Sequence, residues 1–258
     1  MKSKKYKIGM IPYSNMAPFR ASPLPPNCIF KDAVPSKSID LLKKGKILAA
    51  AAPVGALPEI SDIVEYAGNY GIGAKGRVES VLLFSSIPFN EYSKDKKIEI
   101  TSHTATSVKL LYLLLGYENG FDKIPEFIKD QRLPDGELLI GDKALIRKHD
   151  NVQSVKNNYI YDLSSLWHEK MNLPFVFARW VVRQDAPKEF KEALNSWLSK
   201  IKNNEESLIR QCAPLEAKRL NIDTAAMEKY LKGMKRVISP LYIEGQTTFL
   251  QELERFYP

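Results

Sequence analysis

The sequence predicts an α/β protein of two lobes, and three observations support this fold class. The N-terminal segment reads as strand, helix and strand, which is typical of a βαβ unit in a parallel sheet. Two long apolar runs, residues 78–86 and 174–182, bracket about ninety residues that carry strands and helices of their own. From Pro187 onward the pattern is helical. A chain that leaves one lobe along the first run and returns along the second has a cleft between its lobes, where small ligands bind.

The N-terminal βαβ unit is predicted from apolar runs separated by turn residues. "YKIGM" is a short apolar strand, which a proline ends. A helix over residues 39–44 is expected to be capped by Ser36 or Ser38 and to end at Gly45. "ILAAAAPV" is then a buried strand that closes at Pro53.

The central segment repeats a strand followed by a helix. "KIEITS" is a half-buried strand, and "TATSVKLLYLLLG" is a helix that begins at Thr104 or Thr106 and ends at Gly116. "ELLIGDKALIRK" has a strand at residues 138–140, a Gly-Asp turn and a helix start. A helix capped by Asp162 then precedes the second apolar run.

The predicted lobes follow from these elements. Residues 1–88 and 180–258 are expected to form a discontinuous lobe 1, and residues 89–179 to form lobe 2. The helices of the C-terminal region are expected to break near Pro214, residues 221–224 and Pro240.

The composition is that of a soluble globular protein, with 44% hydrophobic and 26% charged residues. No run approaches the about 18 apolar residues that a membrane helix needs, so no membrane partner is predicted. The start, "MKSKKYKIGMIPYS", is basic like a signal peptide, but its apolar stretch is too short, which predicts a cytoplasmic protein. Cys28 and Cys212 are interpreted as two small thiols in the protein interior, not as a disulfide or metal site.

The net charge of +8 raises the question of a nucleic-acid partner. Half of the excess lies in four N-terminal lysines, and the other basic runs are short and lack an aromatic-rich motif. We therefore predict no nucleic-acid partner. A positive field also helps to collect a small anionic ligand.

Six segments resemble, in order and spacing, the chorismate dehydratase family of the futalosine route to menaquinone. They are "YSN" followed by Pro18, "VPSKSIDLLKKGKI", "VESVLLFSSIP", "TSHTATSVKLLYLLL", "LLIGDKAL" and "YDLSSLWHEKMNLPFVFARWVVR". The resemblance covers residues 8 to about 185. It implies the two-lobed type II periplasmic-binding-protein-like fold with a double-strand hinge, and the pattern from Pro187 onward predicts a helical C-terminal region.

The resemblance also implies a reaction, in which chorismate loses water and becomes 3-[(1-carboxyvinyl)oxy]benzoate. The small anionic substrate is chorismate, no metal or organic cofactor is required, and the family is thought to use the substrate's own carboxylate in proton removal. The scattered histidines agree with this, because none is paired with Cys or carboxylates at ligand spacing. The oligomeric state and the identity of a general base are not predicted.

Asn15 is the candidate catalytic residue. It follows the first strand, at the carboxyl end where α/β proteins bind ligands. The resemblance places it at the family's Tyr-x-Asn position, where its amide would bind a carboxylate or hydroxyl of the substrate. The alternative is an Asn that hydrogen-bonds within its own turn.

The candidate substrate-binding residues lie at strand-to-helix turns. The helix start at Thr104, Thr106 and Ser107 offers free N–H groups and hydroxyls to an anion, and capping by the same residues is compatible with this role. Gly141 permits close approach of a ligand. Asp142 is a possible base, but an N-cap carboxylate would be used by the backbone and would repel a dianion, so we expect a structural role for it. The candidate role of Ser80 follows from the resemblance.

Two departures from the family pattern keep alternatives open. Where family members have a Ser-Ser pair and a nearby Tyr, this chain has residues 52–56, "APVGA", and their loss implies an altered substrate, compensation by another side chain or no catalysis. The usual Thr-Gly before Leu-Pro is Met171-Asn172. The main alternative function is a non-catalytic cytoplasmic binding protein for a small carboxylate. A sibling enzyme of the same pathway would carry a Pro-Asn-Asp-type loop, which "PYSNMAPF" does not match.

Overall fold

The computed structural model describes residues 5–93, 95–100, 105–119, 127–128, 134–150 and 158–256. The strands are β1 (Tyr6–Met10), β2 (Cys28–Asp32), β3 (Ala49–Pro53), β4 (Val64–Ala74), β5 (Val81–Ser85), β6 (Ile98–Ile100), β7 (Phe127–Ile128), β8 (Gly136–Ile140), β9 (Tyr159–Asp162), β10 (Phe175–Arg183) and β11 (Lys235–Val237). The helices are α1 (Ala17–Ala21), α2 (Pro35–Lys43), α3 (Thr106–Asn119), α4 (Asp142–His149), α5 (Leu163–Met171), α6 (Lys188–Asn203), α7 (Glu205–Leu220), α8 (Thr224–Gly233) and α9 (Pro240–Phe256). Within the described ranges, no helix is both long enough and apolar enough to cross a bilayer.

The chain divides into two compact units, each made of two segments. Unit 1 is Met1–Gly73 with Val176–Ser239, and unit 2 is Ala74–Phe175 with Pro240–Pro258. These bounds differ from the predicted ones. The prediction placed the lobe boundaries after residues 88 and 179 and assigned the last helix to lobe 1. The reasons for the difference lie in β4, β5 and α9.

Unit 1 is built on a six-stranded sheet with the order β11-β4-β10-β3-β1-β2. β1 pairs in parallel with both β2 and β3, so the predicted βαβ unit is confirmed. β10 runs antiparallel to β3, with Ala178 opposite Pro53. On one face Trp180 packs edge-on against Trp197 at a centroid distance of 5.4 Å, and Phe19 lies 5.3 Å from Trp180. These three buried rings form the aromatic core of unit 1.

β4 was not predicted, and it carries the first passage of the chain from unit 1 to unit 2. Its sequence, "VEYAGNYGIGA", is rich in glycine, which is depleted in strands. Gly71 is required there because a Cβ atom would collide with the Ala178 carbonyl oxygen on β10. The second passage lies at the start of β10, the neighbour of β4 in the sheet, and a third follows Ser239.

Unit 2 has a five-stranded sheet with the order β7-β6-β8-β5-β9. The apolar run at residues 78–86 supplies β5, which pairs antiparallel with β8 and β9 and is therefore a strand of this unit. α9 also belongs here, because Phe249 packs against Phe175 and Trp167 at centroid distances of 4.9 and 6.0 Å. All three rings are buried.

Several predicted helix bounds are confirmed and others are wrong. α5 begins after Asp162 as predicted, and Asn172 ends it in a left-handed conformation with φ 54°. α2 begins at Pro35 after Val34, so neither predicted serine caps it, and the Ser38 hydroxyl donates to the Pro35 carbonyl within the helix. Proline suits a first helical position because it has no N–H to leave unpaired.

The C-terminal region is not purely helical, because β11 pairs antiparallel with β4. The predicted break near Pro214 is wrong, since α7 continues through it, and α3 likewise continues past Gly116. The break at residues 221–224 is confirmed, with Asn221 left-handed and Asp223 capping α8. α9 begins at Pro240, as predicted.

Candidate functional site

Asn15 lies in a 3₁₀ turn, Ser14–Met16, between β1 and α1. Because β1 and β3 are parallel, this turn and the 3₁₀ segment Val54–Ile60 follow the same edge of the unit 1 sheet. Ligands of open α/β sheets bind beyond this edge. The topology thus brings Asn15 to the edge where the altered "APVGA" segment also lies.

The backbone of the Asn15 turn is fixed by Arg20 of α1. Its Nη1 donates to the Ile11 carbonyl at 2.9 Å and its Nη2 to the Tyr13 carbonyl at 3.1 Å. The same Nη2 lies 3.1 Å from the Glu216 carboxylate on α7. One guanidinium therefore joins the loop before Asn15 to a helix of the C-terminal region.

Glu216 is the centre of this network. Its carboxylate accepts from the Ser14 hydroxyl at 3.1 Å and from Arg219 Nε at 2.9 Å, besides Arg20. Burial alone would raise the pKa of Glu216, but the hydrogen bonds and charges of Arg219 and Arg20 outweigh it and hold the pKa below its ordinary value. Glu216 is thus held as a carboxylate beneath the turn.

Arg236 on β11 approaches Asn15 from another direction. Its guanidinium is buried, with the side chain 2% exposed, and Nη1 donates to Glu205 Oε1 at 2.7 Å. Nη1 also bonds the Leu231 carbonyl at 3.1 Å, and Nη2 lies 3.5 Å from the Asn15 carbonyl. Arg236 therefore faces the main chain of Asn15 at the outer limit of hydrogen-bond distance.

The side chain of Asn15, like that of Arg236, includes a buried polar atom without a hydrogen-bond partner among the described residues. Its Oδ1 is buried and has no hydrogen-bond partner among the described residues. A buried acceptor without a donor carries an unfavourable free energy, and native proteins have few of them. An amide offers an acceptor and two donors, so it suits a ligand hydroxyl or carboxylate.

Unit 2 places all five of its predicted site residues at one edge of its sheet. The Gly141 N–H donates to the Ser80 carbonyl at 2.8 Å, which joins the start of β5 to the end of β8. β6 is parallel to β8, so Thr106 and Ser107, which open α3, follow the same edge. Ser80, Thr106, Ser107 and Asp142 are all buried. Thr104, the other predicted cap of this helix, lies outside the described residues.

The roles at the start of α4 differ from the prediction. Gly141 occupies the N-cap position with φ 61° and ψ −136°, and Asp142 is the first helical residue. The N-cap position predicted for Asp142 therefore belongs to Gly141. Glycine is favoured here because other residues rarely adopt this backbone conformation.

Asp162 has a second role that sequence reasoning missed. Its Oδ1 accepts from the Ser164 and Ser165 N–H groups, as a cap does, at 3.0 and 3.3 Å. Its Oδ2 accepts from Val78 and Glu79, at 2.9 and 2.7 Å. Burial raises the pKa of this carboxyl, against the opposing effect of the four N–H groups. Asp162 thus fixes the turn that leads into Ser80.

Arg179 lies directly across from Ala52 in the β10 and β3 pair. Its guanidinium is buried, stacks 4.3 Å from the Tyr66 ring centroid and donates to the Gly68 carbonyl at 3.4 Å. Burial lowers its pKa. A cation therefore occupies the sheet position opposite Ala52. In the sequence, Arg179 was noticeable only because it interrupts an apolar run.

The other missed residues, Arg20, Glu216 and Arg236, gave no local signal. Glu216 is 202 residues from Ser14, and Arg236 is 221 residues from Asn15. No periodicity or motif connects residues so far apart. Only the fold shows that they meet.

Comparison with solved structures confirms the fold of periplasmic binding proteins. A protein of Archaeoglobus fulgidus has a TM-score of 0.69 at 14% identity, with 99% of this chain and 98% of that chain covered. The alkanesulfonate-binding protein of Xanthomonas axonopodis pv. citri, bound to MOPS, has a TM-score of 0.64 at 11% identity, covering 100% and 96%. A Candida albicans protein described as having the generic periplasmic binding protein fold has a TM-score of 0.59 at 11% identity, covering 98% and 91%.

Comparison of sequences shows the family. The chain is 27% identical over 242 residues to a chorismate dehydratase of Thermus thermophilus, with 88% of each chain covered. The family model described as menaquinone biosynthesis matches residues 6–255. This match extends beyond the six resembling segments into the C-terminal helices, and the chain therefore belongs to the menaquinone biosynthesis family.

Proposed function

We propose that this protein is a lyase that dehydrates chorismate to 3-[(1-carboxyvinyl)oxy]benzoate in the futalosine route of menaquinone biosynthesis. The family and the chorismate dehydratase relative support this proposal. The observation that carries it is Asn15, whose turn is fixed on several sides while its buried Oδ1 has no partner among the described residues. The cytoplasmic location stays a prediction.

Catalysis of this reaction depends mainly on how the protein positions the substrate. A ring C–H proton and the ring hydroxyl leave together as water, and the ring becomes aromatic, so the driving force lies in the substrate. The protein must orient a dianion and stabilise the departing oxygen. In this proposal the Asn15 amide of unit 1 binds a hydroxyl or carboxylate oxygen of the substrate. Within unit 2, the starts of α3 and α4 offer free N–H groups to an anion. A carboxylate of the substrate itself takes up the ring proton and passes it to the departing hydroxyl, which leaves as water.

A second function is a binding protein for a small carboxylate that does not turn it over. The "APVGA" segment favours it, because it lacks hydroxyls at the same sheet edge as Asn15. Arg179 beside Ala52 offers a charge in their place. Both functions use the same residues, so only turnover separates them.

Mass spectrometry of chorismate incubated with the purified protein tests the proposal. We expect the dehydrated aromatic product at many turnovers per protein, and none in a sample without protein. A thermal shift with chorismate but no product supports the binding protein. No product, together with no thermal shift on adding chorismate or a related carboxylate, would overturn both functions.

A further inference from the structure

We infer that Glu216 is a positioning residue that holds the Asn15 turn in place for its ligand, with Arg236 packed against the same turn. This inference rests on the proposed function, because it assigns to the C-terminal region a task at the same site. It concerns residues that do not themselves reach a ligand and that act through the Asn15 turn.

The Glu216 carboxylate binds two guanidinium groups that would otherwise repel one another. Arg20 and Arg219 both approach its carboxylate, and the Ser14 hydroxyl donates to it from within the turn. Without a negative charge at this place, two guanidinium groups would lie close together with no counter-ion. Arg20 would then lose its fixed position and with it the bonds to the Ile11 and Tyr13 carbonyls.

Arg236 lies against the main chain of Asn15, with Nη2 3.5 Å from the Asn15 carbonyl oxygen. Glu205 and the Leu231 carbonyl fix one nitrogen of its guanidinium, and the other nitrogen faces the Asn15 carbonyl. A planar guanidinium held at one nitrogen has a defined direction for the other. Because the backbone of Asn15 is held, the direction in which its side chain leaves the backbone is held too.

The cluster also contributes charge. It contains three arginines and two glutamates: Arg20, Arg219, Arg236, Glu205 and Glu216. One positive charge is in excess close to the Asn15 turn. A positive potential at this place favours an anionic ligand.

The test compares Glu216→Gln with Glu206→Gln. Both glutamates are on α7. The Glu206 side chain is 81% exposed, and its ion pair with Arg210 is long, at 3.8 Å, so Glu206 serves as the matched control. Kinetics with chorismate and hydrogen exchange of the peptide covering residues 11–20 are measured on the same samples. Ser14→Ala is a second, milder variant that removes a single hydroxyl from the network.

We expect Glu216→Gln to lower kcat/KM by about tenfold, and to speed exchange in residues 11–20 while the rest of unit 1 keeps its rates. Ser14→Ala should do the same to a smaller degree, and Glu206→Gln should do neither. Unchanged exchange in residues 11–20, or equal acceleration throughout unit 1, would overturn the inference. If the wild-type protein does not convert chorismate, the proposed function fails, and the exchange data still decide whether Glu216 holds the turn.

Discussion

The Asp162 carboxylate accepts the Glu79 backbone N–H at 2.7 Å, and Glu79 is a non-glycine residue with φ +64°. A left-handed conformation is unfavourable for most side chains and persists where surrounding contacts fix it. Here the N-cap of α5 supplies those contacts, and the Glu79 to Lys148 ion pair at 3.0 Å adds a link to α4. The position of Ser80 therefore depends on a residue 82 positions later in the chain.

Asp162→Asn should lower the free energy of unfolding by about 2–4 kcal/mol. An amide keeps one acceptor oxygen, but its NH₂ group would face two backbone N–H donors, which leaves these groups unpaired in the interior. Urea denaturation measures the change. Asp223→Asn is the control, because Asp223 caps α8 through a single exposed bond to Ala226 N–H. At such a cap Asn and Asp are nearly equivalent, within about 0.5 kcal/mol. Equal losses in the two variants would show that the Val78 and Glu79 bonds contribute little.

Gly141→Ala should destabilise the protein by about 1–3 kcal/mol, because alanine is strained at φ 61° and ψ −136°. Thermal unfolding is the measurement. Gly233→Ala provides the comparison: Gly233 is the last residue of α8, and no atom lies within 4 Å of a Cβ built on it. That variant should be neutral or stabilised by about 0.5 kcal/mol. A neutral Gly141→Ala would contradict the assigned backbone conformation.

Glu216 should make stability depend on pH in the acid range. Its pKa in the folded protein is lowered, so its contribution is complete above the ordinary value of 4.5 and is lost as pH falls through the lower folded value. Glu216→Gln should therefore be less stable than the wild type by about 1–3 kcal/mol at neutral pH, and the gap should close below about pH 4. Denaturant titrations across this range measure the gap. A gap that stays constant down to about pH 3 would mean that the charge of Glu216 does not matter.

Asn15→Ala should weaken binding of chorismate by about ten- to a hundredfold while the melting temperature stays nearly unchanged. The reason is that Asn15 Oδ1 has no partner within the described protein, so its removal breaks no internal bond of that atom. Calorimetric titration and thermal unfolding are measured together. Asn195→Ala, at an exposed position of α6, should change neither. An unfolded Asn15→Ala protein would make Asn15 a structural residue.

The elements that were predictable from the sequence are those whose signals are local. "ILAAAAPV" predicted β3 because a short apolar run closed by proline is typical of a buried strand. Asp162 predicted the start of α5 because it is a favourable N-cap residue. β4 was missed because glycine opposes strand propensity, although Gly71 fits the close approach to β10. α7 continues through Pro214, which shows that packing can override a local breaker.

Asn15 and Gly141 were predicted as site residues because each follows a recognised strand, and Ser80 was predicted from the resemblance. The residues that support their turns were missed. Asn15, Gly141 and Ser80 each stand beside a strand. Glu216 and Arg236 lie in a helix and a strand whose sequences carry no motif. Only the tertiary structure brings them to the Asn15 turn. Long-range polar contacts of this kind have no period in the sequence.

The place of α9 affects the order in which a ribosome can complete the two units. The last segment of unit 1 ends at Ser239, whereas Phe249 must still be added before the rings of Trp167 and Phe175 are covered. During translation unit 2 is therefore completed only after the last segment of unit 1 has been made. A nascent chain that ends between these points carries uncovered aromatic surface, which is the kind of surface that chaperones bind.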